Sequence, residues 1–289
     1  MRFSLVIPTL DRPRDVKAFL EALTRQTFRD LEVILVDQSG SDIYDSVVAD
    51  FSGIWPIRHI RIDVRKCRYA CIVGASHATG DIIAFPDDDC LYLPDTLEQV
   101  DAGFRKHPSL GLLTGAVLNQ YRRPSQMGRW LTASAKLNES NIWTGLVEFN
   151  MFIRRAAYEA VGGFDANMGP GCRFVAAEGQ DLGLRLLAHG VKGYFDTRIQ
   201  VIHPDKPSGV NLNRARSYAR GMGYALRKNA APWAVLLEFA IRPVGGILFN
   251  IMKGDRKAVL YHAYVLLGRL EGYYSSAARQ AAKTIHGHA

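Results

Sequence analysis

Three consecutive carboxylates, Asp87, Asp88 and Asp89, follow the apolar run of residues 82–85. The run is rich in β-branched and aromatic side chains, so it predicts a buried strand with a charged end. Like charges this close raise one another's pKa unless a cation lies among them. Mg²⁺ and Mn²⁺ take carboxylate oxygens as ligands and fill their other positions with water and substrate phosphates. The triplet therefore predicts a divalent-metal site, and the alternative is a solvated acidic turn before a helix.

Glu178 and Asp181 form a second acidic site. At helical spacing both carboxylates lie on one face of a first turn, while Leu182 and the leucines after it lie on the buried side. Such a pair is a candidate functional site. Carboxylates in a first turn also interact favourably with the helix macrodipole, so an ordinary N-terminal cap is the alternative.

His203 ends a short predicted strand, and Lys206 follows three residues later. A lone histidine is usually a polar core residue. At the carboxyl end of a strand and close to a lysine, it is a better candidate for a metal or phosphate contact.

The elements around these residues alternate between strand and helix. Predicted strands cover residues 3–7, 31–36, 57–62, 82–85, 110–118, 146–154, 194–195 and 199–202. Predicted helices cover residues 13–25, 43–51, 69–79, 95–106, 155–161 and 178–187, and Asp11-Arg12-Pro13 supplies the N-cap of the first, with the proline just inside it. Residues 119–145 are predicted to be an irregular binding loop. Polar residues follow the first two strands, and open α/β sheets bind ligands at the carboxyl ends of their strands.

Two common nucleotide sites are disfavoured. The sequence has no Gly-x-Gly-x-x-Gly after the first strand and no Gly-x-x-x-x-Gly-Lys-Ser/Thr. A Rossmann dinucleotide site and a P-loop both depend on those glycines.

Length and charge suggest two parts. The chain has 289 residues, 48% of them apolar, and a net charge of +8. From Asp205 to the end there are 13 Lys/Arg against 4 Asp/Glu, so the tail carries the whole excess. We predict a catalytic domain over residues 1–207, divided near residue 118, and a basic helical tail over residues 208–289. The four cysteines have no disulfide or zinc spacing, and Met1-Arg2 runs directly into a strand, so we expect a cytoplasmic protein.

The tail has the composition of a membrane-surface segment. Residues 232–252 are long enough to span a bilayer, but Glu238, Arg242 and Pro243 lie in the middle. A charge at mid-membrane costs about 2.5 to 3.5 kcal/mol, so we expect the segment to lie on an anionic membrane surface. The alternative is a helical pair that packs on the catalytic domain or forms a homodimer. Nucleic acid is not an expected partner, because no nucleic-acid module is present.

Several motifs occur in one order along the chain. They are Pro8-Thr9, the strand ending at Asp37, Gly80-Asp81, the triplet at residues 87–89, Gly162-Gly163, the acidic helix start at residues 178–181, and His203. This order, over roughly residues 3–206, resembles the family-2 inverting glycosyltransferases of the GT-A fold. The resemblance implies an α/β fold with a mixed, mainly parallel sheet flanked by helices, followed by a C-terminal helical appendage.

The resemblance also implies roles for the residues. Asp37 would receive the base of a UDP-, GDP- or dTDP-sugar, and Pro8, Thr9 and Asp11 would line that pocket. Asp87 and Asp88 would hold the ribose and sugar side. Asp89 and His203 would hold Mn²⁺ or Mg²⁺, with Lys206 as a phosphate cation. A carboxylate of the 178–181 helix would be the base for a glycan or lipid-linked acceptor, at the inner face of the cell membrane.

The sequence departs from the family pattern in two places. Gly179 stands where the usual Glu-Asp-x-Asp has its second acid, normally the base, so the base is Glu178 or Asp181, with a preference for Glu178. Cys71-Ile72 replaces the usual Arg-Asn, and Arg68 is the candidate replacement for the lost cation.

Two other functions are weighed against a glycosyltransferase. A sugar nucleotidyltransferase would carry a glycine-rich phosphate loop after the first strand, and residues 10–13 contain no glycine. A non-catalytic nucleotide-sugar-binding or scaffold protein on the same fold is favoured by Gly179 and Cys71-Ile72.

Overall fold

The computed structural model describes residues 1–205 and 211–286. It forms two compact units. The first holds Met1–Phe164 and Leu182–Lys206, and the second holds Asp165–Asp181 and Pro207–Ala289. The second unit therefore includes a segment that the predicted division at residue 207 assigned to the catalytic domain.

The first unit is built on one mixed sheet. Its strands are β1 (Phe3–Thr9), β2 (Leu31–Asp37), β3 (Ile57–Arg61), β4 (Ile82–Ala84), β5 (Leu91–Tyr92), β6 (Leu110–Leu118), β7 (Ala135–Lys136), β8 (Met151–Arg154) and β9 (Lys192–Ile202). The order is β3-β2-β1-β4-β8-β6-β9-β5, and β7 pairs with β9. Strands β3, β2, β1 and β4 are mutually parallel, whereas β8 is antiparallel to both of its neighbours. The predicted α/β class is confirmed.

Helices flank this sheet. They are α1 (Pro13–Leu23), α2 (Asp45–Phe51), α3 (Cys67–Ala75), α4 (Thr96–Lys106), α5 (Ile142–Gly145), α6 (Arg155–Ala160) and α7 (Glu178–Ala188), whose first turn belongs to the second unit. All seven residues of β1 are buried. Leu5 and Ile7 join one apolar core, and Val6 joins the other together with Ile34. Because the side chains of a strand alternate between faces, a sheet covered on both sides requires the continuous apolar run seen in the sequence.

Some predicted boundaries are wrong for local reasons. The strand predicted over residues 146–154 begins only at Met151, after a 3₁₀ turn at Glu148–Asn150. The Asn150 side chain accepts from the backbone of Val147 and donates to the carbonyl of Gly115, and these bonds compete with strand pairing. Within the predicted cap Asp11-Arg12-Pro13, the N-cap residue of α1 is Arg12, and Asp11 has a φ of 56°. Pro13 is the first helical residue, as predicted.

Two predicted segments also differ in extent. The strands expected at residues 194–195 and 199–202 are one strand, β9, which pairs with β6 through a register shift. The loop predicted over residues 119–145 contains the short β7 and α5. Neither short element has the length to leave a periodic pattern in the sequence.

The second unit contains α8 (Leu212–Lys228), α9 (Trp233–Met252), α10 (Arg256–Tyr273) and α11 (Ser276–His286). Helices α8 and α10 pack through glycines. A Cβ at Gly272 would lie 2.0 Å from the carbonyl oxygen of Arg220, and one at Gly223 would lie 2.1 Å from that of Arg269. The helix backbones are therefore in direct contact. Glu271 also forms ion pairs with Arg216 and Arg220.

Helix α9 carries an exposed apolar face. The exposed residues recur every three or four positions and are Trp233, Leu237, Ile241, Val244, Leu248 and Met252. Within the described residues, α9 is the one helix long and apolar enough to cross a membrane. Its mid-helix charges, Glu238 and Arg242, pair with each other one turn apart.

Candidate functional site

The carboxylate triplet lies in a tight turn directly after β4, in the first unit. Phe85 is fully buried at the end of the strand, and the amide of Cys90 donates to the carbonyl oxygen of Asp87 over 3.0 Å. This turn fixes the backbone of all three aspartates. Their side chains then have three different sets of partners.

Asp88 is held by residues that follow β1. Its carboxylate accepts from the hydroxyl of Thr9 at 2.8 Å and from the guanidinium of Arg12 at 2.5 Å. The hydroxyl of Tyr44 lies 2.8 Å from that of Thr9 and accepts from the backbone amide of Arg12. Burial raises the pKa of Asp88 to about 6, against the opposing charge of Arg12.

Asp89 faces a histidine. Its Oδ1 lies 3.2 Å from Nε2 of His203, and its Oδ2 accepts from Arg12 at 2.8 Å. Burial disfavours the charged carboxylate, but the bonds from His203 and Arg12 outweigh it and hold the pKa of Asp89 well below its usual range. Asp89 is therefore ionised at neutral pH.

The orientation of His203 is fixed on two sides. Its Nδ1 donates to the carbonyl oxygen of Pro204 at 2.9 Å, because a carbonyl can only accept. The ring stacks on Phe149 with centroids 4.5 Å apart and planes 19° apart. Both contacts direct Nε2 toward Asp89, and a backbone bond of this kind commonly orients a metal-binding histidine.

Of the three aspartates, Asp87 has the longest distances to positively charged groups. Its Oδ1 lies 3.7 Å from the guanidinium of Arg68, and its Oδ2 lies 3.8 Å from Nε2 of His203. Burial, together with the charge of Glu148, raises the pKa of Asp87 to about 7 although both cations oppose that rise. Repulsion from Asp89, which the sequence predicted, contributes less to this rise than burial and Glu148 do.

The donor set fits a hard divalent cation. The ligand atoms of Asp89, Cys90 and His203 all lie within 4.8 Å of one another. Burial raises the pKa of the Cys90 thiol well above its usual value, so the thiol stays protonated and is a poor ligand. Mn²⁺ and Mg²⁺ prefer oxygen, and imidazole is an acceptable partner for transition metals such as Mn²⁺. Asp89 and His203 are the residues able to hold such an ion.

The predicted base pocket lies at the ends of β1 and β2. The strand register pairs Thr9 with Asp37, and Pro8 is buried within β1. Asp37 is fully buried. Its Oδ1 accepts from the amide of Ser39 at 2.8 Å, and its Oδ2 lies 3.2 Å from His59. The structure brings Thr9 and Asp37 together at this edge.

Asp11 lies at the surface beside this edge, and its backbone amide donates to the hydroxyl of Ser39 at 3.0 Å. Its left-handed backbone is uncommon for a residue other than glycine. Lys206, the predicted phosphate cation, lies outside the described residues.

The acidic helix start belongs to the second unit, and both acids are buried. Asp181 accepts from Nζ of Lys228 at 2.9 Å through one oxygen and from the side-chain amide of Asn229 at 2.9 Å through the other. Lys228 also donates to Asp165 at 2.8 Å. Ala177, just before Glu178, has a φ of 70°, a strained backbone for alanine.

Sequence reasoning missed several of these partners. Lys228 lies in the predicted basic helical tail, and nothing in the spacing of its residues marks it as buried. Arg12 directly follows β1 at a ligand-binding edge of the sheet, and that position is a signal from which it could have been predicted.

This arrangement on this fold defines a class of protein. Residues 4–162, more than half of the chain, match the profile of glycosyl transferase family 2. The chain belongs to this family, and the predicted resemblance is confirmed.

Two curated relatives illustrate the range of the family. A glucosyl-dolichyl phosphate glucuronosyltransferase of Haloferax volcanii is 26% identical over 58% of this chain and 58% of its own length. A PGL/p-HBAD biosynthesis glycosyltransferase of Mycobacterium bovis is 34% identical over 40% of this chain and 46% of its own. The chain thus matches only about half the length of these relatives.

Solved structures support the fold. The mannosyltransferase PcManGT from Pyrobaculum calidifontis, solved with GDP-Man and Mn²⁺, has a TM-score of 0.65 at 18% identity and covers 95% of this chain and 88% of its own. S. aureus TarS 1-349 with UDP-GlcNAc has a TM-score of 0.63 at 14% identity, with 95% and 93% covered. At these identities the likeness establishes the fold alone.

Proposed function

We propose that this protein is a metal-dependent inverting glycosyltransferase that moves a sugar from a nucleotide-sugar donor to a hydroxyl of a glycan or lipid-linked acceptor. The observation that carries the proposal is the pairing of Asp89 with His203 at 3.2 Å, beside two further carboxylates in one turn. The neighbours solved with GDP-Man and Mn²⁺ and with UDP-GlcNAc support the donor class.

Each donor contact has a chemical reason. A divalent cation held by Asp89 and His203 would stabilise negative charge on a departing nucleoside diphosphate without proton transfer. Asp87 and Asp88 hold the ribose and sugar side through oxygens fixed by the turn. Asp37, Pro8, Thr9 and Asp11 receive the base. Lys206 follows His203 by three residues in the sequence and is proposed as the cation for the phosphates.

Glu178 is the general base in this proposal. An acceptor hydroxyl attacks well only if a positioned carboxylate accepts its proton, which is worth about 10²- to 10⁴-fold. Both oxygens of Asp181 accept bonds from Lys228 and Asn229, which suit it to holding the helix start. Attack on the face opposite the leaving group inverts the anomeric carbon, so the base and the metal belong to separate acidic sites.

The test is calorimetry with Mn²⁺ in the presence of UDP, GDP or dTDP. We expect tight binding of one nucleoside diphosphate that requires Mn²⁺ and is lost in Asp89→Asn. Asp63→Asn, an exposed change of equal charge in the same unit, is the control and retains binding. Absence of any Mn²⁺-dependent binding to wild type would sink the proposal.

Product analysis separates the other candidate functions. A glycosyltransferase releases a nucleoside diphosphate from its sugar donor, whereas a sugar nucleotidyltransferase releases pyrophosphate from a nucleoside triphosphate. Donor binding without turnover in any acceptor extract would instead indicate a non-catalytic binding protein.

The proposal includes a location at the cytoplasmic face of an anionic membrane. The exposed apolar face of α9 ends beside the exposed basic residues Lys253, Arg256 and Lys257. Apolar side chains at the level of the acyl chains, with basic residues near anionic headgroups, are typical of interfacial helices. Nucleic acid is not a proposed partner.

Vesicle flotation tests this location. We expect wild type to float with vesicles containing phosphatidylglycerol and less with pure phosphatidylcholine, and Leu248→Glu to remain unbound. Thr284→Glu, an exposed change on α11, is the control. A dimer by light scattering that Leu248→Glu dissociates, with no flotation, would favour a homodimer through this face instead.

A further inference from the structure

Arg68 is a charged side chain inside the first unit, and only 1% of it is exposed. It lies in the first turn of α3. A Cβ at Gly74 of the same helix would meet side chains of Val6 and Val36 at 2.4 and 2.8 Å, so α3 packs closely on β1 and β2. This close packing fixes the rotation of the helix. Arginine is rarely buried to this extent unless it is paired.

The described contacts of the guanidinium include an ion pair, a hydrogen bond and an aromatic ring. Its Nη2 lies 3.7 Å from Oδ1 of Asp87 and donates to the sulfur of Cys67 at 2.9 Å. Its carbon lies 5.1 Å from the centre of the Phe164 ring, which packs edge-on against Phe85 at 4.8 Å. A planar cation between an aromatic ring and a carboxylate has little freedom to turn.

Because of Arg68, the two carboxylate oxygens of Asp87 have different surroundings. Oδ1 faces Arg68, whereas Oδ2 lies toward His203, and the Asp87 side chain keeps 26% of its surface exposed. Arg68 thereby contacts one carboxylate oxygen from the interior side, and the other oxygen remains for a ligand. Fixing one oxygen also fixes the direction in which the other points.

We propose that Arg68 is a positioning residue that holds Asp87 for the nucleotide-sugar donor. Arg68 lies on the buried side of α3, so it approaches Asp87 from the protein interior. The inference rests on the proposed donor-binding function.

Binding of UDP and of GDP, each with Mn²⁺, tests the role alongside the melting temperature. Arg68→Gln and Arg68→Lys are expected to weaken nucleotide binding by about 10- to 100-fold, as is typical when a supporting contact is removed. Arg65→Gln, an exposed change three residues earlier, is the matched control and is expected to bind as wild type does. A purely structural role would lower the melting temperature and leave the affinity unchanged.

Wild-type affinity in folded Arg68→Gln or Arg68→Lys overturns the proposal. If wild type itself binds neither nucleotide with Mn²⁺, the proposed function fails first, and that outcome is distinct from equal binding by wild type and the variants.

Discussion

Lys228 donates to Asp181 across 2.9 Å, and 7% and 0% of the two side chains are exposed. Lys228 reaches Asp165 as well, so one ammonium group joins two carboxylates within the second unit. Buried charges are tolerated only when paired and hydrogen-bonded. The helix start that carries Glu178 is thus held by a residue of the basic tail.

Replacement of Lys228 by methionine is expected to destabilise the protein by about 3 to 5 kcal/mol, because two carboxylates lose their buried cation. Urea unfolding at neutral pH measures the change. Lys257→Met, which removes an exposed charge from α10, is the control and should stay near wild type. Equal stability of Lys228→Met and wild type would contradict the buried pairing.

Glu178→Gln and Asp181→Asn are expected to differ in kind. The first should lower turnover by about 10²- to 10⁴-fold, a loss larger than any accompanying change in stability explains, because it removes a base. The second should mainly lower stability, because it weakens a bond to Lys228. Rates of nucleoside diphosphate release, compared with unfolding midpoints, separate the two. Full turnover in Glu178→Gln would return the role of base to Asp181.

Asp165 makes stability depend on pH in the acid range. Burial opposes its ionisation, but Lys228 and hydrogen bonds lower its pKa from 3.8 to about 2. A carboxyl with a lowered folded-state pKa stabilises the protein above its unfolded pKa, and that contribution disappears as the pH falls toward 2. Asp165→Asn should therefore cost about 2 kcal/mol near pH 6 and progressively less below about pH 4. A deficit that stays constant down to pH 2.5 in urea titrations would refute the linkage.

The glycines between α8 and α10 provide a matched pair of substitutions. Gly272→Ala should destabilise by about 1 to 3 kcal/mol, because its Cβ would overlap the carbonyl of Arg220. Gly245→Ala places its Cβ in open space on exposed α9 and should stabilise the protein by up to about 1 kcal/mol. Thermal unfolding of the two variants measures a loss of stability in the first and a gain in the second. The same sign for both would mean that the two helices do not touch there.

The sheet could be predicted because its signal is local. A strand buried on both faces, such as β1, is a continuous apolar run bounded by proline and polar residues, and the helix after it repeats buried residues at helical spacing. The triplet after Phe85 was found for the same reason. Three consecutive aspartates mark the site without reference to any distant part of the chain.

The partners of those residues depend on distant contacts and could not be predicted in the same way. Arg12 reaches Asp88 across 76 positions, and Lys228 reaches Asp181 across 47. Neither helical nor strand periodicity connects residues that lie so far apart in the sequence. The turn at Asn150 escaped prediction because a single side chain replaced the strand's hydrogen bonds. Arg68 was identifiable only through its comparison with position 71.

Asp181 and its partners Lys228 and Asn229 all lie beyond residue 162, where the match to the family ends. Exchange of the helical tail alone would therefore separate this acid from its cation. A relative that loses the lysine should lose the aspartate with it, and the two positions should vary together across homologous sequences. A chimera that joins residues 1–206 to a foreign tail would inherit Asp181 without its counter-ion.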